Sequence, residues 1–403
     1  MAGPSIQTTC CIVGGGPAGV MLGYLLARSG VDVTVLEKHK DFFRDFRGDT
    51  IHPSTLEILY ELGLLDAFLA LPHQELPGVT LAIGGASLPI ADLTHLKTHC
   101  RFVALMPQWD FLNFLSAQAA RYPSFHLLMD HEATGLIESG NRVTGVQVNT
   151  PAGPVEIHAS LVVGCDGRHS TSRASASLPV HETGVPIDVL WFRISRRESD
   201  PSNVLGNINY GNFAVLINRS DYFQCAFIIA KDSFATKIQP AGLPAFREAI
   251  AKLVPFLADR VDELTSWDQV KLLSVQINRL TRWHKPGLLC IGDAAHAMSP
   301  VGGIGINLAI QDAVAAARIL APSLKAGTVT ERTLAQVQKR REWPTRVTQA
   351  FQVRAHALFI GTLGKPEAIK PPLLLRVLSS FKSFRYLVAR FIGVGIRPEH
   401  IQP

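Results

Sequence analysis

Short apolar runs and longer helical patterns alternate in the first part of the chain. Residues 10–13 form an apolar run that predicts a buried strand, and the pattern over 20–28 predicts the helix after it. A second apolar run over 31–36 predicts another strand. Because strand, helix and strand in this order form a parallel βαβ unit, the pattern predicts an α/β fold.

The hydrophobic pattern changes further along the chain. Residues 72–100 contain three Pro and three Gly around short strand-like runs, which interrupts the α/β alternation. Apolar runs over 189–193, 213–217 and 222–229 predict an antiparallel sheet. Other predicted elements are strands over 145–148, 155–158 and 160–163, and helices from Ser54, from about Met106 and from about Leu334. We therefore expect two domains in the 403 residues.

The turn between the first strand and helix carries glycines with the spacing G-x-G-x-x-G. Gly14 suits a tight turn, Gly16 lets a pyrophosphate approach the backbone, and Gly19 lets helix and strand pack closely. Pro17 and Ala18 begin the helix, whose unpaired N–H groups favour a phosphate. The motif predicts a dinucleotide site, and the alternative is an ordinary glycine-rich α/β turn.

Glu37 ends the second strand, about 20 residues after the glycines, where an acid binds ribose hydroxyls in dinucleotide folds. An acid there repels a 2′-phosphate, so the motif predicts an FAD or NAD type of nucleotide. Lys38 beside it is a further candidate for cofactor binding. Arg47 lies in the polar loop that follows, and two interpretations remain open: a clamp on phosphates or a flavin edge, or a solvated arginine.

Two more predicted strands end in glycine and aspartate. The first leads into Asp166 and Gly167, and the second leads into Gly292 and Asp293. Parallel sheets bind ligands at such strand ends. The turn and helix after the second strand supply further candidate cofactor-binding residues, namely Pro300, Gly303, Gly305, Ile306 and Asn307. The N-terminus of that helix favours any bound group that gains negative charge.

Composition narrows the class of protein. With 47% hydrophobic and 18% charged residues, the chain is expected to fold rather than stay disordered. Residues 1–27 carry no charge, but they lack a basic start and contain six glycines, so neither a signal peptide nor a membrane span is predicted. The six cysteines lack metal-ligand spacing, which predicts no metal site and reduced core thiols in a cytoplasmic protein.

The net charge of +6 is concentrated near the end of the chain, because residues 365–403 hold seven Lys or Arg and two Glu. This distribution leaves no basic face for a nucleic acid. Residues 371–392 predict one amphipathic helix with an apolar stripe. The favoured interpretation is that the stripe docks on the protein, and the alternative is weak peripheral contact with an anionic membrane, such as the inner membrane surface.

The three blocks, at residues 14–19, 166–173 and 292–307, resemble in their order those of the single-component FAD-dependent aromatic hydroxylases. This is the p-hydroxybenzoate hydroxylase and ubiquinone-biosynthesis hydroxylase superfamily of class A flavoprotein monooxygenases, and the resemblance covers residues from about 9 to 335. It implies an α/β fold with a Rossmann-like FAD-binding domain, an inserted, mostly antiparallel β-sheet substrate domain and C-terminal helices. The expected divisions are 1–75, 101–179 and 276–335 for FAD, 76–100 and 180–275 for substrate, and 336–403 for the helical segment.

The resemblance also implies roles for individual residues. The glycine loop would hold the pyrophosphate of non-covalently bound FAD, and Glu37 its adenosine ribose. Arg47 would lie beside the flavin, and Gln108 beside the ribityl chain or diphosphate. The block that begins at Asp166 would serve both FAD and NAD(P)H, and Asp293 would hold the ribityl chain.

The implied reaction is a monooxygenation. NADH or NADPH reduces the flavin, O2 then forms a C4a-hydroperoxide, and one oxygen atom enters an aromatic, polycyclic or otherwise lipophilic small molecule. Two alternatives remain: an FAD-dependent reductase or oxidase of the geranylgeranyl-reductase type, and a non-catalytic scaffold that holds FAD.

Four side chains are candidates for catalysis or substrate contact. His52, and less so His296, is a candidate to move a proton from a phenol; a histidine that only bonds its own turn is the alternative for His52 and the favoured interpretation for His296. Tyr222 and Gln224 lie on a predicted strand over the pocket. For Tyr222 the favoured alternative is a cross-strand surface pair.

Overall fold

The computed structural model describes residues 5–43, 50–201, 206–219, 221–361, 363 and 367–401. The strands are β1 (Ser5–Val13), β2 (Val33–Leu36), β3 (Thr50–Ile51), β4 (Gln74–Leu76), β5 (Gly78–Ile83), β6 (Ala86–Asp92), β7 (Val103–Leu105), β8 (Phe125–Leu128), β9 (Glu132–Ser139), β10 (Arg142–Thr150), β11 (Gly153–Gly164), β12 (Val180–Thr183), β13 (Ile187–Ser195), β14 (Gly206–Asn209), β15 (Asn212–Asn218), β16 (Tyr222–Ala230), β17 (Lys271–Leu273), β18 (Ile277–Leu280), β19 (His284–Lys285), β20 (Leu288–Cys290) and β21 (His296–Ala297). The helices are α1 (Pro17–Arg28), α2 (Pro53–Glu61), α3 (Leu65–Leu69), α4 (Gln108–Ala119), α5 (Thr171–Ser175), α6 (Gln239–Ala241), α7 (Leu243–Leu253), α8 (Ile304–Lys325), α9 (Glu331–Ile360), α10 (Leu373–Ser380) and α11 (Lys382–Gly393).

The first sheet has the order β19-β20-β11-β1-β2-β8, and β10 and β9 extend it from β11. The strands β20, β11, β1, β2 and β8 run parallel to one another, which confirms the predicted α/β fold, whereas β19 and β10 join β20 and β11 in antiparallel. Strand β1 is completely buried from Cys10 to Ile12, and α1 and α8 pack beside each other in the same core. This burial explains why the strand reads as a continuous apolar run.

The structure corrects the predicted bounds of one strand and one helix. The runs predicted as separate strands over 155–158 and 160–163 form the single strand β11, because no glycine or proline separates them. The helix predicted from Ser54 begins one residue earlier, with Pro53 in its first turn and His52 at its N-cap. Proline suits this position because its missing N–H is not needed there.

A second sheet has the order β17-β13-β16-β15-β14-β5-β6. The pairs β13–β16 and β15–β16 are antiparallel, as predicted, and β5 joins β14 in parallel. One face of this sheet packs on α7 through side chains that include Phe192, Phe227 and Phe246. The sheet combines strands from 76–100 and from 180–275, whereas the exact domain divisions remain a prediction.

The end of the chain differs from the prediction of one helix over 371–392. Two helices, α10 and α11, are separated at Phe381, whose backbone is extended. The hydroxyls of Ser379 and Ser380 donate to the carbonyls of Arg376 and Val377, and such bonds compete with the continuation of a helix. Helix α11 packs on β6 and buries Ala389, so the prediction that the apolar stripe docks on the protein is correct for α11.

Helix α8 forms one long apolar core element. Within the part of the chain that the structure describes, only the segment Val301–Lys325 is long and apolar enough to cross a membrane, and 78% of its most apolar window is buried inside the protein. Burial of this kind is typical of a core helix.

Candidate FAD site and substrate face

The three glycines of the first turn have different surroundings. Gly14 has a φ of 106°, and a Cβ there would lie 2.5 Å from the carbonyl oxygen of Cys165. A Cβ on Gly19 would collide with the carbonyl of Gly14. Gly16 has an ordinary φ of −76°, and a Cβ there would have no neighbouring atom within 4 Å. Two glycines therefore serve close packing, and Gly16 leaves open space at the N-terminus of α1, where a phosphate is favoured.

Glu37 lies directly beside this turn. Its carboxylate accepts hydrogen bonds from the backbone N–H of Gly15 at 3.2 Å and of His39 at 3.1 Å. These bonds fix the acid next to the glycines, as the βαβ spacing predicts. Lys38 is exposed, and Arg47 lies outside the described residues.

The Asp-Gly turn after β11 is held by its own side chains. Asp166 accepts hydrogen bonds from the Ser170 hydroxyl at 2.5 Å and from the backbone N–H of Ser172 at 2.9 Å. Its carboxylate thus stabilises the turn into α5, which leaves less of it for a cofactor than the sequence suggests. Gly167 has a φ of 81° and open space around it.

The Gly-Asp turn after β20 meets both other blocks. A Cβ on Gly292 would lie 3.2 Å from Ala18 and 3.3 Å from Ala309, so this turn is packed between α1 and α8. Arg168, from the Asp-Gly block, lies 3.8 Å from the carboxylate of Asp293. The side chain of Asp293 is 33% exposed and so stays accessible to a bound ligand.

The turn before α8 is tied to β3 and α2. Gly302 and Gly303 have φ values of 81° and 62°, and the Thr50 hydroxyl donates to the carbonyl of Gly303 at 2.9 Å. The amide of Asn307 donates to Thr50 O and Gly303 O, and it accepts from His52 N and the Thr55 hydroxyl. Because this side chain is fully used, a cofactor contact at this position falls to the backbone. Pro300, Gly305 and Ile306 are half-buried around the same turn.

His52 faces the C-terminal helix. Its Nδ1 lies 2.8 Å from the carbonyl oxygen of Ile392, and the residue is buried. Burial lowers the pKa of His52 from 6.5 to about 4, so the ring is neutral near pH 7. This geometry favours the alternative of a histidine that holds a neighbouring segment.

His296 is buried as well. Its Nε2 lies 2.5 Å from Asp312, a residue of α8, so it bonds a helix rather than its own turn. The arrangement holds the Gly-Asp turn on α8.

Tyr222 and Gln224 lie beside two arginines at the start of β16. The guanidinium of Arg193 lies 4.9 Å from the centre of the Tyr222 ring. Arg219 donates to the side-chain oxygen of Gln224 at 3.4 Å. Burial raises the pKa of Asp110 in α4, and the charge of Arg219 partly offsets this increase.

An inward-facing polar row on α9 was not predicted. Arg341, Gln349, Gln352 and His356 recur at helical spacing and are buried. Such spacing is ordinarily typical of a solvent-exposed face. These side chains bond the backbone or side chains of 278–312, the region that contains the Gly-Asp turn. The sequence pattern of α9 does not predict the burial of these side chains, because buried and solvent-exposed polar side chains have the same spacing.

Arg341, the first residue of this row, contacts the buried acids Asp312 and Glu399. Arg341 donates to Asp312 at 2.8 Å and lies 3.3 Å from Glu399. Asp312 also accepts the backbone N–H of Gly292 at 3.1 Å. The nearby charges of His296 and Arg341 lower the pKa of Asp312, although burial opposes them. A continuous buried network thus connects the Gly-Asp turn with the end of the chain.

All six cysteines are free and buried. Burial raises the pKa of Cys11 to about 12 and that of Cys100 to about 11. They are therefore neutral thiols near pH 7, in keeping with the predicted core role.

The residues present fit FAD. Gly16 leaves room for a pyrophosphate, and Glu37 is fixed beside the glycine turn. Asp293 is accessible after β20, which lies two strands away from β1 in the sheet. The three positions follow the carboxyl ends of parallel strands, where a Rossmann-like sheet binds a dinucleotide.

Comparisons with known proteins agree with this geometry. A family model described as an FAD binding domain matches residues 7–351. The 6-methylpretetramide 4-monooxygenase of Streptomyces rimosus is 33% identical over 388 residues, which covers 95% of this chain and 92% of that protein. The rifampicin monooxygenase of Rhodococcus hoagii is 28% identical over 416 residues, which covers 96% of this chain and 78% of that protein.

The fold has a counterpart among solved structures. The OxyS anhydrotetracycline hydroxylase from Streptomyces rimosus matches with a TM-score of 0.77 at 23% identity, covering 96% of this chain and 76% of that one. The family match and the sequence relatives together carry the assignment. The chain belongs to the FAD-dependent aromatic hydroxylase family, and it is an oxidoreductase that binds FAD and acts as a monooxygenase with NAD(P)H as its electron donor.

Proposed function

We propose that the substrate is an aromatic molecule with several fused or linked rings, and that the enzyme hydroxylates it. The names of two relatives, which refer to 6-methylpretetramide and rifampicin, support a large substrate. The glycine turn at residues 302–303 before α8 is the candidate flavin turn. The observation that carries the proposal is an apolar sheet face beside this turn, with the guanidinium groups of Arg193 and Arg219 at its edge.

The apolar face belongs to the second sheet. Ile217 belongs to a buried cluster with Leu105 of β7, and Trp191 and Val215 of the same sheet pack against this cluster. Leu105 pairs with Thr50, which bonds Gly303 at the turn before α8. This chain of contacts brings the face next to the turn, and its area of aromatic and aliphatic side chains suits a multi-ring ligand.

The polar edge of this face suits a phenol. Arg193 follows Trp191 by two residues on β13, so both side chains lie on one face of the sheet. Gln224 pairs with Arg193 and with Ile217 in the two neighbouring strands. Nearby guanidinium groups favour the ionised form of a phenol, and a phenolate ring is richer in electrons and more readily hydroxylated.

The cofactor is held by the residues of the three blocks. The glycine loop with Pro17 and Ala18 binds the pyrophosphate, Glu37 binds the ribose, and Asp293 binds the ribityl hydroxyls. We extend the same proposal to the other candidates from the sequence, which are Lys38, Arg47, Gln108, Asp166, Gly167, Gly292, Pro300, Gly303, Gly305, Ile306 and Asn307. FAD, when bound, carries electrons from NAD(P)H to O2. The N-terminus of α8 stabilises negative charge on a bound ring, and the apolar face excludes water.

The overall reaction is balanced in atoms and electrons. A ring C–H becomes C–OH with one oxygen atom of O2, and the other oxygen atom leaves as water. NAD(P)H is oxidised to NAD(P)+, and one proton is taken up.

The test mixes the FAD-loaded protein anaerobically with NADH or NADPH in a stopped-flow instrument. The panel contains multi-ring phenols, single-ring phenols and quinones. We expect multi-ring phenols to accelerate flavin reduction most, and isotopically heavy O2 to place one heavy oxygen atom in the product. Equal reduction rates across the panel would remove the substrate assignment. Turnover of NAD(P)H that saturates or desaturates the substrate without heavy oxygen would instead support a reductase or oxidase.

Two variants test the polar edge. Arg193→Gln and Arg219→Gln should shift the pH profile of kcat/KM for a phenol toward higher pH, because the phenolate loses a stabilising charge. A methoxy analogue, which cannot ionise, serves as the control substrate and should show no shift. An unchanged profile in both variants would contradict a phenolate beside these groups.

We further propose that the protein is cytoplasmic, as its free buried cysteines suggest, and that α10 makes weak contact with an anionic membrane surface. Leu373 and Leu374 are 75% and 71% exposed, and Arg376 and Lys382 are close by in the sequence. Apolar side chains beside basic ones match the composition of an anionic lipid surface.

Sedimentation with vesicles tests the contact. The wild type should bind vesicles that contain phosphatidylglycerol, and less so in high salt or with neutral lipid. A Leu373→Gln, Leu374→Gln variant should keep FAD and lose this binding. No binding by the wild type, or equal binding by the variant, would rule out the membrane contact.

A further inference from the structure

Helix α9 contacts the backbone just before the candidate flavin turn through two buried side chains. The Gln352 amide donates to the carbonyl oxygens of Ser299 at 2.9 Å and of Val301 at 3.1 Å. Its oxygen accepts the backbone N–H of Ser299 at 3.1 Å. Nε2 of His356 lies 2.8 Å from the Ser299 hydroxyl, which also accepts the backbone N–H of Val301 at 3.2 Å.

We infer that Gln352 is a positioning residue for the flavin: it fixes the backbone over 299–301 and thereby the direction in which the N-terminus of α8 points. This inference rests on the proposed placement of FAD at the turn before α8. Val301 begins a 3₁₀ turn that ends at Gly303, and Gly303 is the N-cap of α8. The carbonyls held by Gln352 are thus only a few residues from the helix end that faces the ligand.

Burial makes this contact effective. Gln352 is 0% exposed, and all three of its hydrogen bonds are made to one short backbone segment. Glycines at 302 and 303 with positive φ make the following turn adaptable. A segment that contains two such glycines needs outside support to keep one conformation, and Gln352 supplies it from a separate helix.

His356 supports the same segment. Burial lowers its pKa, so the ring is neutral near pH 7 and accepts or donates one hydrogen bond at Nε2. Since the Ser299 hydroxyl accepts from Val301, its own proton is available to Nε2 of His356. The Ser299 hydroxyl therefore links His356 of α9 to the backbone N–H of Val301 by two hydrogen bonds.

The experiment compares Gln352→Met with Gln338→Met. Gln338 lies on the same helix and makes the same kind of bonds, accepting from Trp283 N and donating to Thr281 O at 3.0 Å each. It holds the loop at 281–283 rather than the segment at 299–301. Methionine has nearly the volume of glutamine and lacks its amide, so both variants lose backbone hydrogen bonds without a cavity.

Both apo-proteins should lose melting temperature, and Gln352→Met should lose more because Gln338 is only half-buried. Only Gln352→Met should weaken FAD binding, by about tenfold, alter the visible circular dichroism of the bound flavin, and lower its reduction potential. The potential falls because a misdirected helix end stabilises the negative charge of reduced flavin less. Equal FAD affinity, spectrum and potential in both variants would overturn the inference.

A milder variant protects the test against misfolding. Ser299→Ala removes the hydroxyl that joins His356 to Val301, and it should move the spectrum and the potential in the same direction by less. Unchanged values in Ser299→Ala and Gln352→Met together would overturn the positioning role. The placement of FAD is judged separately by Gly16→Val, whose outcome does not depend on α9.

Discussion

Gly16 offers the sharpest test of where the cofactor binds. The substitution Gly16→Val places a branched side chain into the open space at the N-terminus of α1, where a Cβ would have no protein atom within 4 Å. The backbone there has a φ of −76° and a ψ of −176°, which any residue adopts. The substitution therefore strains nothing in the protein itself, and its main effect falls on whatever occupies the space.

The magnitudes separate the two effects. Valine is a poorer N-cap residue than glycine, which costs about 1 kcal/mol of apo-protein stability at most. A pyrophosphate held off the helix end loses at least one charge-assisted hydrogen bond, worth roughly 1.5–3 kcal/mol. The affinity for FAD should then fall by about tenfold to a hundredfold or more.

The assay is a fluorescence titration of apo-protein with FAD, together with thermal unfolding of the apo-protein. Gly184→Val is the matched control, since Gly184 also has open space and an ordinary φ but lies outside the three blocks. Gly14→Ala is the opposite control and should destabilise the apo-protein, because its Cβ meets Cys165 and its φ is 106°. Wild-type affinity in Gly16→Val would refute the placement of the pyrophosphate on this turn.

Three other predictions follow from described contacts. Asp293→Ala should weaken FAD binding by about tenfold to a hundredfold in the same titration, because it removes a charge-assisted acceptor; unchanged affinity would show that the carboxylate faces elsewhere. The pKa of His52 falls from 6.5 to about 4 on folding, so its contribution to stability is complete above pH 6.5 and is lost as the pH falls through 4, by about 3 kcal/mol. Urea unfolding across this range should show a flatter pH dependence in His52→Gln than in the wild type, and parallel curves would contradict it. Glu399→Gln leaves three arginines, 318, 340 and 341, without their shared acid, and should destabilise the protein by about 3–5 kcal/mol; an unchanged melting temperature would show that water or other groups replace the acid.

The sequence was sufficient for features that depend on neighbouring residues. The first strand, its glycines and its helix follow from a local apolar pattern and from steric needs at Gly14 and Gly19. The antiparallel pairing of β13, β15 and β16 follows from their apolar runs. The side chains that these elements bury are those that their apolar sequence patterns predict to be buried.

Features that depend on distant partners were beyond the sequence. The polar row on α9 has the spacing of a solvent-exposed face, and the backbone at 278 and 297–301 explains why Gln349 and Gln352 are buried. Asn307 was assigned to the cofactor because of its position in the motif, yet its amide holds β3 and α2. The helix break at Phe381 accompanies hydrogen bonds from two serine hydroxyls to the helix backbone, and the apolar pattern of 371–392 does not predict these bonds.

The buried network at Glu399 has a consequence for biosynthesis. β1 and its glycine turn are synthesised well before Glu399, whose carboxylate completes the charge balance around Arg341 only after residues 5–398 have been made. Until then Arg341 and Asp312 lack their third partner, and the Gly-Asp turn attached to Asp312 through Gly292 is not locked. The nascent chain should therefore capture FAD late in synthesis, and an extension that displaces residue 399 should leave a protein that is largely folded but slow to load its cofactor.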